Sequence, residues 1–171
     1  EKLRKQGKAS ILIAKNEVCV GIIALSDKIR PNAAIMTKKL LNMGAKTVLL
    51  TGDHHTTAKY FADKVGISEV YSELLPENKV DKVINLQKSG RTVCMIGDGV
   101  NDAPALKTAN VSIAMGSMGS DIAIEASDIA LMSDDIAKIP YIKKLSNSTI
   151  NTIKGNIIAS LSINFIAIIL S

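Results

Sequence analysis

Between residues 46 and 132 the sequence alternates short apolar runs with amphipathic stretches, and this alternation restricts the fold more than any other feature of the chain. The apolar runs predict strands at residues 46–50, 70–71, 92–96, 111–115 and 128–132. The stretches between them predict helices at residues 54–65, 77–88, 103–109 and 121–126. Strands that are apolar throughout are usually covered by helices on both faces. The sequence therefore predicts an α/β fold with a Rossmann-like parallel sheet and flanking helices.

Two further elements are predicted before this region. Residues 9–15 and 18–25 are apolar runs rich in Ile and Val, and the two residues between them predict the turn of a β-hairpin. An amphipathic stretch then begins at Pro31, and its apolar residues recur at helical spacing. We expect Pro31 at the first helical position and Gly44 just after the last, because these residue types are preferred there.

The last third of the chain has a different pattern. Residues 135–148 predict a mostly polar helix with a bend at Pro140, and residues 156–171 form an uncharged, apolar stretch. A helix needs about 20 apolar residues to cross a bilayer. Because the stretch is apolar around its whole circumference, it predicts the start of a transmembrane helix. The alternative interpretation is a buried helix of a soluble protein.

The charge distribution bears on possible partners. The chain has a formal net charge of +5, but its basic residues are scattered and aromatic residues make up only 3% of it. Nucleic-acid binding usually needs a basic patch or aromatic stacking platforms, so we expect no nucleic-acid partner. The four lysines before and within the terminal helix favour anionic lipid headgroups instead: Lys138, Lys143, Lys144 and Lys154.

Cysteine and histidine give no evidence of a metal site. Cys19 and Cys94 lie far apart, without a Cys or His at zinc-ligand spacing, and are interpreted as two buried thiols in a reducing cytosol. His54 and His55 are adjacent on a predicted helix, so their side chains point in different directions.

Polar turns follow two of the predicted strands. Thr51-Gly52-Asp53 comes directly after residues 46–50, and the sequence GDGVND at residues 97–102 comes directly after residues 92–96. A third polar segment, residues 75–79, opens a predicted helix between them. In open α/β sheets, ligands bind at the carboxyl ends of the strands. We therefore expect these three segments to form one site.

The residue types of two of these segments suit a phosphoryl group. The Thr51 hydroxyl and the Gly52 amide are donors to phosphoryl oxygens, and Lys79 supplies a positive charge. Each feature has a simpler interpretation by itself, because Asp after Gly is a common helix cap and a lysine in a first turn is usually solvated. The combination favours phosphate binding.

The GDGVND turn is the most specific of the three segments. Asp98 and Asp102 are hard carboxylate ligands of the kind that Mg²⁺ prefers, and Mg²⁺ shares its coordination with phosphate and water. Asn101 can orient a phosphoryl group or a metal-bound water by hydrogen bonding. The glycines allow the backbone to approach a ligand closely. The turn predicts a site for Mg²⁺ and phosphate.

These motifs resemble those of P-type ATPases. Residues 97–106 read GDGVNDAPAL, the signature of that family, and Thr51-Gly52-Asp53 matches its TGD motif. Asp27-Lys28-Ile29-Arg30 resembles the Asp-x-x-Arg hinge between nucleotide and phosphorylation domains, and residues 76–79 resemble the segment of the phosphate-side lysine. Residues 114–131 match the family as well, through Asp128 and Leu131. The resemblance covers nearly the whole chain and is greatest to the heavy-metal subgroup.

The resemblance implies a fold of the haloacid dehalogenase superfamily and a function. The function is ATP-driven transport of a transition or heavy-metal cation through an aspartyl-phosphate intermediate, with Mg²⁺ as cofactor and ATP as substrate. The phosphorylated Asp of that family lies in a DKTGT motif, which is absent from these residues. We therefore expect a fragment that lacks the nucleophile and the first strand of the sheet, and that hydrolyses no ATP alone.

The resemblance also implies a division of the chain. Residues 1–26 would be the tail of the nucleotide-binding domain, and residues 27–136 the C-terminal half of the phosphorylation domain. Residues 137–155 would be a connecting helix, and residues 156–171 the start of a transmembrane helix. Residues 1–150 are then expected on the cytoplasmic side of a membrane.

Residue roles carried over from the family are as follows. Asp98 would bind Mg²⁺, and Asp102 would support the Mg²⁺ site and orient the loop. Thr51, Lys79 and Asn101 would contact the phosphoryl group. The nucleotide and hinge set would be Asp27, Arg30, Gly52 and Asp53.

Asn164 is a candidate transport-site residue, because polar groups inside apolar membrane helices are costly and often functional. A hydrogen bond between helices is the alternative role. In zinc and cadmium pumps of the subgroup a Lys tends to occupy the comparable helix, and Asn164 departs from that pattern.

Two other functions are compatible with the motifs. A soluble phosphatase of the same superfamily also carries a GDG-x-ND loop, and a chain without a nucleophile can be a non-catalytic domain that binds nucleotide or a partner. The APAL extension, the TGD motif and the apolar terminal stretch favour the pump over the phosphatase.

Overall fold

A computed structural model describes residues 7–116, 121–133 and 135–170. The chain divides into two compact units, residues 1–136 and 137–171, and each is described by itself. Residues 117–120, within the run that resembles P-type ATPases, lie outside the described residues, as do residues 1–6 of the predicted nucleotide-domain tail and Ser171 of the predicted membrane stretch.

The first unit begins with the predicted hairpin. Strands β1 (Lys8–Lys15) and β2 (Val18–Ser26) pair antiparallel. Asn16 and Glu17, between them, have φ of 49° and 66°. Positive φ at both loop residues is typical of the two-residue turns whose twist matches that of the strands. The hairpin prediction is confirmed.

The remaining strands are parallel. β3 (Val48–Leu50) pairs with β4 (Glu69–Tyr71), and β6 (Val111–Met115) pairs on one side with β5 (Cys94–Gly97) and on the other with β7 (Ile129–Leu131). The predicted α/β class is confirmed. The parallel strands are divided between two sheets, and within the described residues β3 and β5 each have a neighbour on one edge only.

The helices of this unit agree in type with the prediction. They are α1 (Ala33–Asn42), α2 (His55–Val65), α3 (Pro76–Lys88), α4 (Ala103–Thr108) and α5 (Asp121–Glu125). The prediction that Pro31 takes the first helical position is wrong, because Asn32 precedes α1 in a left-handed conformation with φ of 67°. A residue with that backbone cannot continue a right-handed helix, so α1 begins at Ala33. Gly44 follows the helix as predicted.

The core of this unit is small and aliphatic, and it does not include the two cysteines: Cys19 and Cys94 are exposed, so their predicted burial is wrong. Val83 of α3 and Leu106 of α4 are fully buried, and they cluster with Ala114 of β6. Leu50 of β3 and Val80 of α3 pack against the same cluster. Residues of both parallel sheets therefore pack into one cluster. This shared packing positions the turns that follow β3 and β5 in the same unit.

The second unit consists of α6 (Lys138–Leu170), a single helix of 33 residues. The predicted start at residue 135 and the predicted bend at Pro140 are wrong. Pro140 is the third residue of α6, in the first turn, where backbone N–H groups have no partner within the helix. Proline is therefore tolerated at this position, because it removes no hydrogen bond of the helix. By length and composition α6 can cross a membrane, since its most apolar window has a mean hydropathy of 1.8.

Candidate functional site

The turn after β3 is held by its own side chains. Thr51 Oγ1 donates to Asp53 Oδ2 over 2.9 Å, and the Asp53 amide donates to Thr51 Oγ1 over 3.1 Å. The chain after β4 closes on this turn: the Leu74 amide donates to the Thr51 carbonyl and the Glu73 amide to the Asp53 carbonyl. A side chain at Gly52 would lie 3.3 Å from the Leu74 carbonyl oxygen, so a glycine suits this close approach.

The helix that follows β4 presents Lys79 to the second turn. Pro76 begins α3, and the Leu75 amide donates to Asn78 Oδ1 over 3.1 Å, which fixes the first turn of the helix. Lys79 Nζ lies 2.7 Å from Asp102 Oδ1, and the two side chains are only 15% and 14% exposed. A charged hydrogen bond of this length in a mostly buried position is a strong interaction.

Asp102 is positioned by its own backbone. Residues Val100–Asp102 form one turn of 3₁₀ helix directly before α4, and the Asp102 amide donates to the Gly99 carbonyl. A Cβ at Gly97 would lie 2.7 Å from the Asp102 Cβ. The close contact explains why a glycine ends β5: a larger residue would push Asp102 away from Lys79.

Asp98 is bonded to a different segment. Arg30 Nη2 donates to Asp98 Oδ2 over 3.2 Å, and the two side chains are 36% and 56% exposed. Arg30 belongs to residues 27–32, which connect β2 to α1 and are called the linker below. The Asp98 carboxylate thus lies at the surface with a cation beside it.

The linker also borders the first turn. Asp27, Lys28 and Ile29 line a cavity of about 280 Å³ together with Thr51 and Asp53. Apolar residues of β3 and α2, together with Ile67, complete the lining. The predicted hinge residues thus border both predicted turns: Asp27 lines the same cavity as Thr51, and Arg30 is bonded to Asp98.

The structure brings six of the predicted residues together as three hydrogen-bonded pairs. The structure joins Lys79 to Asp102, Arg30 to Asp98, and Thr51 to Asp53. Asn101 is exposed in the same 3₁₀ turn as Asp102. Asn164 lies in α6 and belongs to the second unit.

Sequence reasoning missed the direct Lys79–Asp102 and Arg30–Asp98 bonds, because nothing in a local pattern indicates pairs 23 and 68 residues apart.

The donor set is compatible with Mg²⁺ shared with a phosphate, as proposed below. Within residues 7–116, 121–133 and 135–170, no group of three or more His, Cys, Asp or Glu side chains is arranged to hold a metal. Mg²⁺ typically takes one or two carboxylates and fills its other positions with water and phosphate oxygens. The exposed Asp98 carboxylate fits that requirement, whereas Asp102 Oδ1 is already occupied by Lys79.

Clear pKa shifts lie outside these turns. Ser112 donates its hydroxyl and its backbone N–H to Asp128 Oδ2, both over 2.8 Å, and these bonds hold the pKa of Asp128 below its ordinary value. Lys46 and Tyr71 lower the pKa of Glu69 by hydrogen bonding, and the bond to Glu69 raises the pKa of Tyr71. The hydrogen bonds of Asp128 and of the Glu69–Tyr71 pair therefore stabilise the strands and not the candidate site.

Comparison with known proteins identifies the family. The sequence model for haloacid dehalogenase-like hydrolases matches residues 1–110. The chain belongs to that family. Within this hydrolase family, the chain is 44% identical over 169 residues to a cadmium-transporting ATPase of Staphylococcus aureus, covering 98% of the chain and 23% of that protein. It is 42% identical over 163 residues to copper-transporting ATPase 2 of Mus musculus, covering 95% and 11% respectively.

A solved structure agrees with these relatives. The crystal structure of a zinc-transporting PIB-type ATPase in the E2.Pi state superposes with a TM-score of 0.79 at 39% identity, covering 91% of this chain and 25% of that one. The resemblance to heavy-metal P-type ATPases drawn from the motifs is thus confirmed. The chain spans about a quarter of the length of the cadmium-transporting relative that it matches.

Proposed function

We propose that this hydrolase-family chain is part of an ATP-driven pump for a transition or heavy-metal cation. In this proposal residues 27–136 are the C-terminal half of its phosphorylation domain and residues 1–26 the tail of its nucleotide-binding domain. Residues 137–155 connect this domain to a membrane helix that starts within residues 156–171. The relatives named above are pumps for cadmium, copper and zinc, which supports the proposed class of cargo.

The observation that carries the proposal is the pair of open strand edges. β3 and β5 belong to separate parallel sheets, and each has one edge without a neighbour among the described residues. Thr51 follows β3, and Asp98 follows β5. A further parallel strand between these edges would unite the sheets and place the residue after its carboxyl end between Thr51 and Asp98. We assign the phosphorylated Asp of the longer protein to that position.

The chain's own residues would then serve phosphoryl transfer by position and charge. Asp98 would hold Mg²⁺, which neutralises charge on the phosphoryl oxygens when bound. Thr51 and Asn101 would donate to those oxygens. Lys79 would bring a positive charge toward them, and Asp102 would hold the Lys79 ammonium in place through the 2.7 Å bond.

The nucleotide side of the site would be formed by the linker and the first turn. Gly52 and Asp53 lie at the carboxyl end of β3, and Asp27 and Asp53 line the same cavity. We assign these residues and Arg30 to nucleotide contact and to the hinge between domains. This arrangement would let the hinge sense an occupied phosphate site.

Helix α6 supports the membrane part of the proposal. It is 33 residues long and is apolar enough to cross a bilayer. We propose an integral membrane protein with residues 1–150 in the cytoplasm and the lipid bilayer around the part of α6 that begins at residue 156. Asn164 is the candidate residue of this helix for contact with the transported metal.

The proposal is tested by phosphoenzyme formation in the longer protein. Purified protein is incubated with radiolabelled ATP and Mg²⁺, with Cd²⁺, Zn²⁺ or Cu⁺ added separately, and acid-stable phosphoprotein is counted. We expect one of these metals to change the phosphoenzyme level, D98N to abolish phosphorylation, and D81N, a matched change on the exposed face of α3, to preserve it. Retention of full phosphorylation in D98N contradicts the proposed site.

The same preparation tests cargo and location. Replacement of Asn164 by Ala is expected to shift the metal concentration that gives half of the effect, without changing phosphorylation at saturating metal. Alkaline extraction should leave the protein in the membrane fraction. A wholly extractable protein would favour the soluble phosphatase instead.

A further inference from the structure

The bond between Arg30 and Asp98 joins the linker to the loop that follows β5. Arg30 Nη2 and Asp98 Oδ2 are 3.2 Å apart and belong to residues separated by 68 positions. Arg30 lies only four residues after the end of β2 and three before the start of α1. The contact therefore connects the segment between two proposed domains to the proposed magnesium ligand.

Both partners are accessible to solvent. Asp98 is 56% exposed and Arg30 36% exposed. An exposed ion pair of this kind is weak and exchanges readily. A second cation can therefore reach the carboxylate and replace the guanidinium without opening the core.

The two cations compete for one carboxylate. Mg²⁺ binds carboxylate oxygen at about 2.0–2.1 Å, and a guanidinium hydrogen-bonded to the same group would place two positive charges within a few ångströms of each other. Such a pair repels strongly, since the interaction grows as the inverse of distance. Binding of Mg²⁺ to Asp98 is thus opposed by the bond between Arg30 and Asp98.

We propose that Arg30 is the counter-ion that Mg²⁺ displaces from Asp98, so that filling the magnesium site breaks this bond between the linker and the loop after β5 and loosens the linker. This inference depends on the assignment of Asp98 to Mg²⁺ in the proposed function. Coupling of this kind is reciprocal. If bound Mg²⁺ weakens the bond between Arg30 and Asp98, then that bond weakens Mg²⁺ binding by the same factor, and removal of Arg30 should restore the affinity. For an exposed pair that factor is about two- to fivefold.

The position of the linker gives the release a consequence. Asp27, Lys28 and Ile29 line the cavity beside Thr51 and Asp53. Loss of the bond between Arg30 and Asp98 would remove one restraint on the linker and would increase its mobility beside that turn as well. Arg30 would thus have a positioning role, in which its bond to Asp98 restrains the linker beside the second turn until the metal binds.

The test uses the longer protein and two measurements other than activity. Binding of Mn²⁺, used in place of Mg²⁺, is measured from the electron paramagnetic resonance signal of the free ion. Hydrogen exchange of the peptide containing residues 27–32 is measured with and without Mg²⁺. The variants are R30Q, the control K28Q, which removes a positive charge two residues away, and D98N.

We expect R30Q to bind Mn²⁺ two- to fivefold more tightly than the wild-type protein, and K28Q to bind it with less than half of that gain. In the wild-type protein Mg²⁺ should accelerate exchange of the linker, whereas in R30Q exchange should be fast with or without the metal. Weaker Mn²⁺ binding in R30Q, equal gains in R30Q and K28Q, or a linker that does not respond to Mg²⁺ would overturn the inference.

The D98N variant separates this inference from the proposed function. If D98N binds Mn²⁺ as the wild-type protein does, the magnesium assignment itself is wrong. If D98N loses binding while R30Q behaves as the wild-type protein, the magnesium assignment stands and only the role of Arg30 is wrong.

Discussion

Lys79 and Asp102 form the most buried ion pair among the residues of the candidate site, with Nζ and Oδ1 2.7 Å apart and about 85% of each side chain covered. The pair joins the first turn of α3 to the 3₁₀ turn before α4. A lysine at this depth is useful near a phosphate, but it also requires a fixed partner, because an unpaired buried charge is costly. Asp102 supplies that partner.

Removal of either partner is expected to destabilise the first unit. K79M and D102L each leave the other member of the pair buried without its partner, so we expect the free energy of unfolding to fall by about 1–3 kcal/mol. The double variant K79M/D102L should lose less than the sum of the single changes, because no charge is left unpaired. Thermal unfolding of the chain in detergent measures all three. Additive losses would show that the two side chains do not interact.

The close contact of Gly97 with Asp102 gives a matched pair of glycine variants. An added Cβ at Gly97 would lie 2.7 Å from the Asp102 Cβ, whereas at Gly99 the nearest atom is 4.0 Å away. We expect G97A to lower the free energy of unfolding by about 1–3 kcal/mol and G99A to change it by less than about 0.5 kcal/mol. Equal melting temperatures for the two variants would rule out the crowding at Gly97.

The Thr51 hydroxyl is predicted to act directly on the phosphoryl group. T51A removes a donor to charge that develops during transfer and also the bond to Asp53, so phosphoenzyme formation in the longer protein should slow by about 100-fold. T51S retains the hydroxyl and should slow it by less than about tenfold. The rates are measured by rapid quench with radiolabelled ATP. If T51S is as slow as T51A, the methyl group matters rather than the hydroxyl.

Asp128 predicts a pH dependence of stability. Its pKa is lowered in the folded chain by the Ser112 bonds, so its stabilisation is complete above the unfolded-state pKa of about 3.9 and is lost as the pH falls through the lower folded value. D128N should therefore melt at a lower temperature than the wild-type chain at pH 7, and the difference should shrink below about pH 4.

The control for this change is D81N, which removes a carboxylate from the exposed face of α3. Its melting temperature should follow that of the wild-type chain from pH 7 to pH 3. A difference between D128N and the wild-type chain that is constant over this range would show that the Ser112 bonds do not depend on the charge of Asp128.

The types of most elements follow from local chemistry. The hairpin was predictable because a two-residue turn separates two strand-like runs, and the α/β order was predictable because hydrophobic periodicity differs between strands and helices. Element ends were less predictable. Pro31 is an accepted signal for a helix start, yet the left-handed backbone of Asn32 delays α1 to Ala33. In α6, Pro140 is tolerated because the helix starts only two residues earlier.

The sequence by itself determined which residues can do chemistry: the glycine-rich turn with its two aspartates, the threonine after β3 and the lysine of α3 are recognisable from residue type and from their place after strands. The tertiary structure decided how these groups are paired. Asp102 bonds to Lys79 and Asp98 to Arg30, although the two aspartates are only four residues apart. The physical reason is range: periodicity and turn chemistry act over a few neighbouring residues, whereas a bond between distant residues depends on how whole elements pack around the core.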